Sequence, residues 1–379
     1  MTSLKPRSFR TGPTLWDKED VTHYQELLKT NPEWKAEFDR LKEWGDQRIR
    51  QPLDVPTHAI ETDGSWAFPG FQRGYKNSEG KWIWKWKLMS TLLKRVKDSA
   101  TLGILYQLSG DRKYADYSKQ ILLALVDAYG YQQQNPPANM SGQDHFEPYG
   151  FDGADSSEFL TQACNGYDLI YNLPTISKQD REQIEGKLIR PLAERLNQGN
   201  LKRPCSHSKW GPIGLYGVFI SGMVLNDPKL ANDALYGQGG SMEKVGDGLV
   251  DCFNPSDVKD DGHWGQGTTL DDQLLALTVM VRVAEVMWHR GVDLYSYQSF
   301  ALKRLFDYPL KSDSQDPLDA GMIGADMAAL LKVSGVNTYE YAFRRYRDPR
   351  YLSIIGKLPK NITFDKWSYL PSLFDSPSR

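Results

Sequence analysis

The sequence is poor in the residues that most often announce a chemistry. It holds three cysteines, Cys164, Cys205 and Cys252. An odd number without CxxC spacing indicates neither a disulfide framework nor a zinc site. Six histidines are present, and none forms an HxxxH or other paired-ligand spacing, so no metal is called for. There is no glycine-rich phosphate loop, no GxSxG elbow and no Cys/His signature, which argues against nucleotide enzymes and serine or cysteine hydrolases. No redox or nucleotide cofactor is expected. Charge of one sign is lacking too: 46 Lys+Arg stand against 48 Asp+Glu, net −2. Nothing global points to nucleic acid or to an acidic membrane surface. No apolar run approaches the ~20 residues of a membrane span. The opening MTSLKPRSFRTGPTLW has no signal-peptide core, so the chain is expected to be cytoplasmic, or to have had an export signal replaced by an initiating Met.

What is present is an ordinary globular composition over 379 residues, 40% hydrophobic and 25% charged, with no compositional shift that marks a second domain. The expectation is one domain over 1–379. Aromatics are plentiful: 11 Trp, 20 Tyr and 14 Phe, many beside Gly, Lys or Asp. Flat apolar faces next to polar groups suit sugar rings, and they also fill cores.

Helical periodicity dominates. Asp17 to about Gly45 reads as one helix, with Leu27, Leu28, Trp34, Phe38, Leu41 and Trp44 at three- and four-residue steps. Further helices are expected at 88–108, 112–130, around Glu158–Tyr171, 177–198 (capped at Ser177), 211–226, 228–236, 271–290, 296–306, 324–334, 337–346 and 349–356. Strand-like alternation is scarce and no repeat period is visible, which argues against a regular solenoid such as tetratricopeptide repeats. Ten to fourteen consecutive hairpin helices in one domain close as an α/α toroid, an all-α architecture; an open helical array is the alternative.

Polar and aromatic residues concentrate in four stretches. The first lies in the irregular segment 51–86, read as a lid or as a loop packed on the core, and carries Trp66, Phe71, Arg73 and Tyr75. The second, 143–158, carries His145, Glu147, Tyr149, Asp152, Asp155 and Glu158. The third is Cys205-Ser206-His207-Ser208-Lys209-Trp210, where a loop enters a small-residue helix. The fourth, 257–272, carries Asp260, Asp261, His263, Trp264, Gln266, Asp271 and Asp272. On an alternating ring, loops at the same end meet at one cleft. His207, between two hydroxyl residues on a rigid base, is the leading catalytic candidate, and a surface or capping histidine is the bland alternative. Asp155-Ser156-Ser157-Glu158 equally reads as a helix cap, and Asp271 and Asp272 as carboxylates favoured at a helix start.

CSHSKW with its small-residue helix and VLNDPKL resembles the N-N-H-S-x-W segment of alginate-lyase-type polysaccharide lyases. DDGHWGQGTTLDDQLLAL is similar to the D-G-x-W-x-E-G segment of alginate, oligoalginate and heparinase-like lyases, and GVDLYSY, YQLSGDRKYADYSKQILLAL and Tyr167-Asp168-Leu169-Ile170 also match. The matches run in the same order over roughly Trp66 to Tyr351.

The resemblance implies an α/α toroid and β-elimination of a uronate polysaccharide such as polymannuronate or glucuronan. In that chemistry one group neutralises the C5 carboxylate, a base removes the C5 proton and an acid protonates the leaving O4. By position, His207 matches the histidine that neutralises the carboxylate or acts as base. Ser206 replaces an asparagine and still offers one hydrogen bond, Trp210 matches the motif's aromatic, and Tyr75 resembles a lid tyrosine. The chain departs where the family tyrosine should fall, near Asp271 or Asp272: no Tyr is there, the accompanying Arg is absent, and Glu becomes Gln266. Tyr149 is then the first substitute acid/base and Tyr216 the second, with Arg73, Arg203 or Lys209 supplying positive charge.

The expected catalytic set is His207, Tyr149, Ser206 and Asp271. The expected substrate contacts are Trp66, Arg73, Tyr75, His145, Lys209, Trp210, His263, Trp264 and Gln266. The expected partner is a polysaccharide or oligosaccharide, with oligomeric state left open. A glycoside hydrolase on the same toroid, using Asp271, Asp272, Glu158 or Asp152, and a non-catalytic carbohydrate-binding protein are the alternatives.

Overall fold

The computed structural model describes residues 18–56, 74–76, 82–134, 153–200, 210–241, 246–254, 258–260, 262, 264–265, 270–310 and 337–355. The chain opens with α1 (Lys18–Thr30) and α2 (Pro32–Arg48). The single helix expected over this stretch is two, because Pro32 has no N–H to continue α1 and instead takes a first-turn position in α2. Asn31 Oδ1 accepts the Trp34 N–H at 3.3 Å and closes that junction.

A two-stranded antiparallel ribbon, β1 (Gly74–Lys76) and β2 (Trp82–Trp84), leads into α3 (Lys85–Ser109). Then follow α4 (Arg112–Gln134), α5 (Gly153–Leu169), α6 (Lys178–Ile184), α7 (Arg190–Asn200), α8 (Trp210–Val224), α9 (Pro228–Tyr236), α10 (Leu270–Trp288), α11 (Tyr297–Asp307), α12 (Asn337–Tyr346) and α13 (Arg350–Ile355). The helix expected as 177–198 is α6, a π-helical turn at Glu185–Ile189, and α7. Its start is a full capping box: Ser177 accepts from the Asp180 N–H while the Asp180 carboxylate accepts from the Ser177 N–H. The helix expected at 324–334 lies outside the described residues. No described helix is long and apolar enough to cross a membrane.

Close contacts fix the direction of the central helices. A Cβ on Gly166 of α5 would lie 2.4 Å from Ser99 Oγ of α3, and one on Gly103 would lie 2.7 Å from Leu169 Cβ. Further along, Gln107 donates to the Leu169 carbonyl. Rising numbers on α3 thus meet rising numbers on α5, and the two helices are parallel. The same holds for α5 and α8: the Gly217 N–H donates to Ser157 Oγ at 3.1 Å, and Cys164 Sγ lies 3.4 Å from Ser221 Oγ. By contrast α4 leaves α3 through a two-residue turn and runs back along it, with Ser118 Oγ on the Ser99 carbonyl at 2.9 Å. Parallel inner helices returned by antiparallel outer ones form the expected α/α toroid.

One apolar core runs through the described helices, from Tyr24 and Trp34 to Tyr339 and Tyr351. At the far end of α10, Glu285 takes a bidentate contact from Arg345 at 2.9 and 2.7 Å and a third from the Tyr295 hydroxyl at 2.5 Å, tying α10 to α12.

Candidate active site

The parallel order of α3, α5 and α8 puts their N-terminal ends at one end of the toroid. In sequence, 63–76 precedes α3, 143–158 runs into α5, 205–210 runs into α8 and 257–272 runs into α10. Three of the four chemistry-bearing stretches thus precede, in sequence, helices whose N-terminal ends lie at one end of the inner layer. His207 stands three residues before the first residue of α8, Trp210.

Of the expected site residues, Trp66, Arg73, His145, Tyr149, Ser206, His207, Lys209, His263 and Gln266 lie outside the described residues. For Tyr75 in β1, Trp210 at the start of α8 and Asp271 near the start of α10, the backbone is placed and the side chains are not described. Asp271 and Asp272 do follow the first residue of a helix, as the dipole argument expects.

The side chains described at this end belong mainly to α5. Asp155-Ser156-Ser157-Glu158 is not a cap, since the helix already begins at Gly153. Ser157 faces α8, where its hydroxyl donates to the Ile213 carbonyl and accepts the Gly217 N–H. Glu158, one step round the helix, pairs with Lys97 of α3: Nζ to Oε1 is 2.7 Å. The carboxylate is buried, 7% exposed. Below it the buried polar residues Thr161, Gln162 and Asn165 continue along the same side of α5 by helical spacing. Asn165 is fully buried, and neither its amide nitrogen nor its oxygen has a hydrogen-bond partner among the described residues. Sequence reasoning saw Glu158 only as a cap or a hydrolase carboxylate and missed Lys97. Nothing in the sequence of a lysine mid-helix signals a partner on another helix.

Trp264 is corrected outright. Expected among the substrate contacts as an aromatic of the polar stretch 257–272, it is 0% exposed and part of the core. A bridge with Val258 and the donation of its N–H to Gln273 Oε1 at 3.1 Å turn the segment inward. Gln273 Nε2 completes the lock on the Gly262 carbonyl at 3.0 Å. An indole with no accessible face offers no platform for a sugar.

Tyr216, the second choice for the missing acid/base, is also a core residue, at 3% exposure. Burial pushes its phenol up to about 12, against the opposing effect of nearby Arg282. A group so shielded is poorly placed to exchange a proton with a polysaccharide, which leaves Tyr149 as the tyrosine to test. Among the described residues, no group of three or more His, Cys, Asp or Glu is arranged to hold a metal ion.

No family model matches the sequence. Over 137 residues the chain is 32% identical to an alginate lyase of Stenotrophomonas maltophilia, a stretch that covers 36% of this chain and 17% of that protein. The chain thus spans under a quarter of the length of the curated relatives it matches. Among solved structures, an alginate lyase from Bacteroides ovatus superposes with a TM-score of 0.62 at 14% identity, covering 92% of this chain and 97% of that one. A histidine-to-alanine variant of alginate lyase A1-III, complexed with tetrasaccharide, gives 0.56 at 17% identity, covering 93% and 98%. Likeness at this level of identity is likeness of fold.

Proposed function

We propose that this chain, an alginate lyase-like α/α toroid by its fold and by its matched stretch of sequence, is a polysaccharide lyase that cleaves a uronate polymer of the alginate or glucuronan type. The observation that carries the reading is the parallel order of α3, α5 and α8, whose N-terminal ends three of the four polar-aromatic stretches, the His207 segment among them, precede in sequence. The names of the sequence relative and of the structural neighbours point to the same chemistry.

The proposed reaction is β-elimination. The C5–H bond breaks and its proton goes to a base. A C4=C5 double bond forms, the C4–O4 bond breaks, and O4 leaves with a proton from an acid. The C5 proton is weakly acidic, so the site must first offset the charge of the adjacent carboxylate. His207 takes that role or that of the base, and Ser206 adds a hydrogen bond. Tyr149 is the acid/base. Asp271 stands where the resemblance puts a tyrosine, and its charge needs cations nearby to suit elimination. Trp66, Arg73, Tyr75, His145, Lys209, Trp210, His263 and Gln266 form the proposed sugar contacts. Trp264 no longer belongs among them.

The test is ultraviolet absorbance of the unsaturated uronate on incubation with polymannuronate, polyguluronate, glucuronan and glycosaminoglycans, with reducing ends assayed in parallel. Absorbance rising with reducing ends is the expected result, and the responding polymer names the substrate. Reducing ends without absorbance would make the protein a hydrolase. His207→Ala should abolish turnover with helical signal and melting temperature nearly unchanged; near-wild-type activity would remove His207 from the mechanism. Tyr149→Phe should behave likewise.

A further inference from the structure

The lyase reading needs a cation close to the substrate carboxylate, and the arginine that the resemblance puts beside the missing tyrosine is absent from the start of α10. The described cations on and beside α3 differ in how they are engaged and how far water reaches them. Arg95 of α3 is held by Asp98 at 2.9 Å and by Asp54 at 3.0 Å through its side chain, and by the Asp54 carbonyl. Arg48, at the end of α2 and 4% exposed, pairs with Asp98 at 2.6 Å and bonds to Tyr117 and the Pro52 carbonyl, so it is closed off from solvent. Lys97 is different. Its ammonium carries three donors, and its partner among the described residues is Glu158 at 2.7 Å. Water reaches the Lys97 side chain, 25% exposed, far better than the Glu158 side chain, 9% exposed.

The pair is also in the right place. Glu158 lies in the second turn of α5, directly after Ser157, which is bonded to the first turns of α8. It therefore sits beneath the end of the inner layer into which the His207 segment leads. A buried carboxylate is costly unless a cation stays with it, so Glu158 fixes where the Lys97 ammonium rests. The ammonium is the accessible partner, and among the described residues Glu158 is its one ion-pair partner.

We propose that Lys97 reads the carboxylate of a bound uronate, and that Glu158 is the positioning residue that holds its ammonium at the floor of the site. The inference rests on the lyase reading for the identity of the anion. It assigns a substrate-binding role to one residue of α3 and a holding role to one of α5.

The two members then differ in what their loss does. Lys97→Gln should raise KM on the responding uronate polymer by about tenfold to a hundredfold, the cost of one charge-assisted hydrogen bond, and change kcat much less. Lys97→Arg should recover most of the affinity, which also guards against a folding defect in the first variant. Glu158→Gln, which leaves the ammonium without its anchor, should raise KM by about threefold to tenfold, less than Lys97→Gln does, and Glu158→Asp should recover part of that loss at an equally lowered melting temperature. Equal loss in Lys97→Gln and Glu158→Gln, tracking a shared drop in melting temperature, would make the pair structural and overturn the proposal. An unchanged KM in Lys97→Gln would overturn it as well. If the wild-type protein cleaves no uronate polymer, the lyase reading fails by itself, and calorimetric titration with a saturated uronate tetrasaccharide decides Lys97 separately. Binding by wild type that is lost in Lys97→Gln supports the role; absent or equal binding refutes it.

Discussion

Helices α5 and α8 lie side by side, run the same way and are both buried, yet they are built from opposite materials. α8 is apolar nearly all round: Ile213, Leu215, Val218, Phe219, Ile220, Met223 and Val224 are buried, with Ser221 as its buried polar residue. A helix of that kind is held by packing on every side. α5 buries Ser156, Ser157, Glu158, Thr161, Gln162, Asn165 and Asp168 along with its apolar face of Phe159, Ala163 and Tyr167. One helix is packed by apolar groups almost alone, the other by a mixture in which most polar side chains are shut away from water and only Glu158 and Gln162 keep slight contact with it.

The comparison is broken most severely at the glycines of α8. A Cβ on Gly222 would lie 2.4 Å from the Ala231 nitrogen and 2.7 Å from its Cα, both backbone atoms of α9. Backbone cannot rotate away as a side chain can, so Gly222→Val should destabilise by at least about 3 kcal/mol, the upper part of the range for overpacking. Urea unfolding should show a midpoint far below wild type at an unchanged slope. A loss under about 1 kcal/mol would mean that α8 and α9 separate easily, and that α8 is no rigid base.

Tyr216 sharpens the comparison from the other side, because the apolar surroundings of α8 hold its phenol at about 12 against an ordinary 10.0. The folded state keeps the neutral form, so this contribution to stability is full below pH 10 and is lost as pH rises towards 12. Two pH units correspond to at most about 3 kcal/mol. Tyr216→Phe has no such group to ionise. Urea unfolding at pH 9 and at pH 11.5 should therefore show wild type losing more stability than the variant, by about 2 kcal/mol. Equal losses would place the phenol in contact with water and reopen its candidacy as an acid/base.

How much of this was legible beforehand depended on the range of the interaction. The Ser177 cap, α9 behind Asp227 and α12 at 337–346 were readable because caps, proline and helical spacing act within a turn or two. The break at Pro32 was equally local and was overridden by a strong apolar rhythm on either side of it. The ribbon at Gly74–Lys76 and Trp82–Trp84 is too short to show alternation. The burial of the polar row on α5 was not legible, although Glu158 itself stood out. Polar residues at helical spacing read as a solvent face, and only the packing of α3 and α8 against that helix turns them inward. Trp264 failed for the converse reason, since a polar loop was drawn into the core by Gln273 from α10. The pairing of Lys97 with Glu158 joins two helices whose register no local pattern encodes.

The smallest expected effect falls on Asn165, and its sign carries the information. The residue is fully buried in α5 with both amide atoms lacking a hydrogen-bond partner among the described residues. A buried amide left in that state costs about 1–3 kcal/mol, whereas an apolar group of similar size costs nothing of the kind. Asn165→Leu should therefore stabilise the fold, by about 1 kcal/mol after allowance for imperfect packing, with a higher urea midpoint and the same slope. Such a gain would mean that α5 carries a buried amide that the fold does not need. A loss of 1 kcal/mol or more would instead show the amide engaged in the folded state, making the polar side of α5 a structural network as necessary to the toroid as the apolar packing of α8.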